Sequence, residues 1–120
     1  MWIAMNDSFV SIVADREYEM GVVVRARVKE DLVALFPDHQ KDIIESEDSD
    51  YRFRLFLDQQ YVAMTIEERV MGISYDNFKN SVKQGWRKAA YTKIWEVMYT
   101  VQEKTYPRLQ EWWENYRSDR

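Results

Sequence analysis

Cysteine is absent from the 120 residues, which excludes a disulfide framework, a thiolate metal site and thiol catalysis, and fits a reducing compartment. Glycine occurs three times and proline twice. So few backbone breakers exclude a low-complexity chain, and no glycine-rich loop is present to cradle a phosphate. The single histidine, His39, excludes paired imidazole ligands at helical spacing, and no serine elbow is present. No run approaches the roughly 20 apolar residues that span a bilayer. The apolar start at residues 1–5 is broken by Asn6, Asp7 and Ser8, where a signal peptide would continue. The expectation is a cytoplasmic protein with no membrane partner, no cofactor and no metal.

What is present belongs to a folded chain. Hydrophobic residues make up 46% and aromatic residues 15%, enough for a real core in a chain of single-domain length. Residues 1–104 are expected to form one α+β domain, and residues 105–120 a C-terminal amphipathic aromatic extension. The net charge of −4 opposes non-specific adsorption to nucleic acid or anionic lipid unless a local basic face overrules it.

The first part of the chain reads as strands. Residues 2–5 are a short apolar segment, Asn6-Asp7 supplies turn chemistry, and residues 9–14 are rich in β-branched side chains, which suit a pleated surface. After a polar turn ending at Gly21, residues 22–28 form the clearest strand, expected beside the first two. Residues 30–36 read as a short helix with acids in its first turn and Pro37 at its end. Ile43-Ile44 reads as a short strand, residues 45–50 as an acidic loop, and residues 51–57 as a strand with Tyr51, Phe53, Leu55 and Leu57 on one face.

From Gln59 the period lengthens. Val62, Ile66, Val70 and Ile73 share one helical side, with Asp58 as N-cap and Gly72 as stop. Residues 74–82 suggest a third helix, and a long one begins near Trp86. There Ala90, Ile94, Val97, Met98 and Val101 form one stripe, and Tyr91, Trp95 and Tyr99 a second beside it. So wide an apolar arc needs more than one covering element. The pattern predicts an antiparallel or mixed sheet of about five strands, covered on one face by C-terminal helices.

The most unusual polar feature is a doublet of arginine pairs, Arg25 with Arg27 and Arg52 with Arg54, each alternating with apolar residues on a strand. If those strands are neighbours, the arginines and Lys29 converge on one sheet face. Such a face can bind single-stranded nucleic acid or another anionic ligand. The plainer alternative is solvation, or pairing with the acidic loop of Glu45, Glu47, Asp48 and Asp50. That loop lacks the spacing and central glycine of a calcium loop. His39 lies beside Asp38 with no nucleophile in view, so no catalytic residue is assigned. In the tail, Leu109, Trp112, Trp113 and Tyr116 line one side of a short amphipathic segment. This is the residue chemistry of a partner interface or of an internal cover.

Val24-Arg25-Ala26-Arg27, Asp50-Tyr51-Arg52-Phe53-Arg54 and Tyr75-Asp76-Asn77-Phe78-Lys79, with Ala90-Tyr91 and Ile94-Trp95, resemble a family of small uncharacterised proteins encoded by bacteria and their phages. The likeness covers roughly residues 1–102. It implies that the arginine strands, Tyr75 and Lys79 belong to a common core, and it implies no activity. The function expected is non-catalytic protein binding or regulation, through a protein partner or a second copy. The alternative is nucleic-acid or anion binding through Arg25, Arg27, Arg52 and Arg54, with Tyr75 and Lys79 in support.

Overall fold

In the computed structural model, which describes residues 1–108, 114, 116 and 117, the chain divides into two compact units, Met1–Lys83 and Gln84–Arg120. The first unit is an α+β fold. Its strands β1 (Trp2–Ala4), β2 (Phe9–Ala14), β3 (Gly21–Ala26), β4 (Ile44–Glu45) and β5 (Phe53–Asp58) form one antiparallel sheet in the order β1-β2-β3-β5-β4. β3 therefore borders β2 and β5, and β1 takes the edge. The expectation that β3 would lie beside both earlier strands holds for one of them.

The sheet's two faces separate by alternation. Val22, Val24 and Ala26 of β3 stand opposite Leu57, Leu55 and Phe53 of β5, and these six side chains form the floor of the core with Val10 and Ile12 of β2. Helices α1 (Lys29–Leu35) and α2 (Gln59–Met71) pack on that floor, contributing Leu32, Leu35, Val62 and Ile66, with Phe36 just beyond α1. Each fully buried side chain of this size contributes about 1.5–3 kcal/mol.

Short helices need ties, and α1 has one at each end. The buried Asp31 accepts a hydrogen bond at Oδ2 from Phe9 N at 3.0 Å, fixing its first turn to the start of β2. At its other end Phe36 N donates to Leu32 O, and Pro37, lacking an N–H, opens a 3-10 turn instead of continuing the helix. Asp58 caps α2 by accepting from Gln60 N at 2.9 Å, and Gly72 ends it. Only the first half of the expected α2 stripe reaches the core. Val62 and Ile66 do so, whereas Val70 and Ile73 are exposed and Ile73 lies beyond the helix.

Two further expectations are corrected. The helix placed over residues 74–82 is one turn, α3 (Phe78–Ser81), capped by Asn77 accepting from Asn80 N. Tyr51 does not continue the apolar side of β5, because the strand begins at Phe53 and residues 51–52 are bent. Alternation fails across a bend, and the buried Tyr51 ring lies against the arginines instead.

The second unit contains α4 (Gly85–Thr105). Arg87 and Tyr91 are buried, and Arg87 donates from Nε to Gln84 Oε1 at 2.6 Å. Trp95 stacks on Tyr99 with ring centroids 5.3 Å apart. The first apolar stripe is exposed at Ile94, Val97, Met98 and Val101. No described helix is long and apolar enough to cross a membrane. Leu109, Trp112 and Trp113 lie outside the described residues; Tyr116 is helical and 40% exposed.

Candidate functional site

The sheet face opposite the helices carries the polar residues of β2, β3 and β5. Because antiparallel partners share a face, the register lines them up in rows. Ser11 stands opposite Arg25, and Arg25 opposite Arg54. Trp2 and Ile44 extend this row to the two edges. The next row is apolar, with Val13 opposite Val23 and Val23 opposite Phe56. Val13 and Phe56 are exposed.

Arg25 and Arg54 are thus brought together as direct cross-strand partners. Two like charges in that relation destabilise a sheet. Neither has a carboxylate partner among the described residues. Arg25 donates from Nη2 to the buried Ser11 Oγ at 2.7 Å, and its guanidinium carbon lies 4.7 Å from the Tyr51 ring centre. Arg54 donates from Nη2 to Ser49 Oγ. The Nε atoms of both arginines are buried with no hydrogen-bond partner, and each such donor costs about 1–3 kcal/mol.

The outer pair differs. Arg27 lies just past the end of β3, its guanidinium carbon 4.4 Å from the Tyr51 ring centre, and its Nη1 meets Asp50 O at 2.9 Å and Asp50 Oδ1 at 3.5 Å. Arg52 binds Glu45 Oε1 at 2.7 Å and Glu47 Oε1 at 3.3 Å through Nη2. The acidic loop is therefore the counterpart of Arg27 and Arg52, and leaves Arg25 and Arg54 uncompensated. Lys29, expected on the same face, begins α1 instead.

Arg25 and Arg54 line an open basin of about 440 Å³, walled by Val13, Val23 and Phe56. Its volume falls in the ordinary range of small-ligand sites. Ser11, Ser49 and Arg16 were not singled out from sequence. Ser11 had one available signal, a hydroxyl inside the β-branched run Val10-Ser11-Ile12 at a position alternation turns away from the core.

The other candidates lie elsewhere. Tyr75 meets Phe78 with ring centroids 6.0 Å apart, beside Met5, Arg69 and Gly72, and Lys79 is on α3; neither lines the basin. His39 Nδ1 lies 3.2 Å from Asp42 Oδ2, one 3-10 turn on, and the ring meets Tyr61 edge-on. Among the described residues no three His, Asp or Glu side chains gather as metal ligands would. No family model, curated protein or solved structure matches the chain.

Proposed function

We propose that the chain is a non-catalytic binding protein that holds a small anionic ligand over the Arg25–Arg54 row. The observation that carries this reading is the contrast within one sheet. Arg27 and Arg52 have carboxylates, whereas Arg25 and Arg54 face each other with buried, unpartnered Nε atoms in a basin. A phosphate or carboxylate over the row relieves their repulsion and gives the guanidinium groups that line the basin a charged acceptor, the partner such groups favour. A long single strand of nucleic acid is a poorer fit, because the acidic loop interrupts the cationic stripe and the chain is negative overall. Calorimetric titration with inorganic pyrophosphate tests the reading. Binding to the natural chain that is lost in Arg25→Met/Arg54→Met supports it. Equal binding by both proteins contradicts it.

A second reading, protein association through α4, is favoured by a separate observation: Ile94, Val97, Met98 and Val101 recur at helical spacing and are all exposed. Contiguous apolar surface of this kind marks interaction sites. The mass of the full chain by light scattering tests it. An oligomer that becomes monomeric in Ile94→Glu/Val97→Glu supports association through this stripe; a monomer in both rules out a second copy as the partner.

A further inference from the structure

Beyond the arginine and apolar rows, the same face has a third row of opposite sign. Asp15 follows Ser11 and Val13 on the alternation of β2, and its N–H donates to Gly21 O at 3.1 Å, so it borders Gly21 of β3. Gly21 in turn stands opposite Asp58 of β5. A Cβ on Gly21 would meet Asp15 Oδ2 at 3.2 Å and the Tyr18 ring at 2.8 Å; glycine here leaves the Asp15 carboxylate room to lie across the strand. Asp58 caps α2 and does not line the basin. Asp15 and Glu17 both line the basin, and with Arg16 on the same rim they leave that end one net negative charge.

Along the strands the basin thus runs from cationic, through apolar, to acidic. We infer that its ligand is a small linear zwitterion, with a carboxylate or phosphate on Arg25 and Arg54, an apolar spacer over Val13, Val23 and Phe56, and an amine at Asp15 and Glu17. This inference rests on the anion reading above and adds the ligand's second charge. Successive rows are two residues apart, about 7 Å, which puts the terminal rows about 13 Å apart at the backbone, a span to be covered by the ligand together with a hydrogen bond at each end. An ω-amino acid with a chain of about eight carbons spans that distance. A polyanion long enough to reach the far row does not match, because its distal charge would meet Asp15 and Glu17.

The test compares ω-aminooctanoate, octanoate and inorganic phosphate by calorimetry on the full chain and on Asp15→Asn/Glu17→Gln. Asparagine keeps the Oδ1 acceptor that Asp15 offers to Glu17 N at 2.9 Å; an unchanged thermal midpoint checks that the variant is folded, and Glu17→Gln alone serves if it is not. The expected result is at least tenfold tighter binding of ω-aminooctanoate than of octanoate by the natural chain, with that preference abolished in the variant and octanoate binding retained. Equal affinity for the two in the natural chain, with phosphate or octanoate still bound, overturns the zwitterion and leaves the anion site standing. A preference that survives in the variant also overturns it, since the amine is then recognised elsewhere. No binding of any of the three overturns both.

Discussion

Arg25 and Arg54 belong to the same two stretches of chain as Arg27 and Arg52, two residues away, yet the two pairs live under opposite electrostatic conditions. The outer pair lies where β3 has ended and β5 has not begun, within reach of the loop carrying Glu45, Glu47 and Asp50. Their ion pairs are half exposed or more, and such pairs are worth about 0–1 kcal/mol. The inner pair is held by the ladder itself, which sets Arg25 opposite Arg54 and offers serine hydroxyls in place of carboxylates. The lesson is that a pair of arginines in sequence is not a unit. Where the strand stops decides which member finds an acid and which keeps its charge for something else.

Substitutions can erase, invert or blur that contrast. The largest effect is expected from Leu55→Ala, which removes a fully buried side chain from the core floor beside Arg54. It should destabilise the sheet by about 2–5 kcal/mol, read as a lower denaturant midpoint, and take the inner pair's geometry with it. Next is Ser11→Ala. Ser11 is buried and accepts from Arg25, so its loss should cost about 1–2 kcal/mol, whereas Glu47→Ala, at the exposed outer pair, should cost under about 0.5 kcal/mol. Equal losses at the two sites would dissolve the distinction. A sign difference comes third. Arg54→Met removes a like charge and a buried unpartnered donor, and should leave stability unchanged or raise it by up to about 1 kcal/mol; Arg52→Met should lower it by up to about 1 kcal/mol. The smallest effect is on salt dependence: at about 1 M sodium chloride, where the screening length is near 3 Å, the Arg52→Met loss should shrink toward zero. A loss that persists would place the Arg52 contribution in packing over Phe53, whose ring lies 5.9 Å from its guanidinium carbon.

Features set by neighbours in sequence were legible before the fold was seen. The Asp58 cap, the Gly72 stop and the break at Pro37 each depend on a few consecutive residues, and each is found in the structure. The expected arginine alternation holds only for Arg25 and Arg54, because Arg27 and Arg52 lie outside the strands. Alternation does not place Tyr51, because the chain bends at residues 51–52 before β5 begins. The β3–β5 pairing spans an excursion through residues 27–52, so sequence could pose the adjacency of the two arginine strands but not decide it. The partner of Arg25 was invisible for a related reason: Ser11 meets it only through the register of the β2–β3 hairpin, set by the turn through residues 15–20. The α4 periodicity announced a wide apolar arc, but a period describes a surface and not what lies over it. Its exposed stripe is information the structure adds.

The most direct test of the central claim compares thermal midpoints in sodium phosphate and in sodium chloride at matched ionic strength, for the natural chain, Arg25→Met/Arg54→Met and Arg27→Met/Arg52→Met. A ligand that binds only the folded state stabilises it by about 2.7 kcal/mol at a hundredfold excess over its dissociation constant. Phosphate should raise the midpoint of the natural chain and of the outer-pair variant and leave the inner-pair variant where chloride does. A phosphate shift retained by the inner-pair variant, or lost with the outer pair instead, would contradict it.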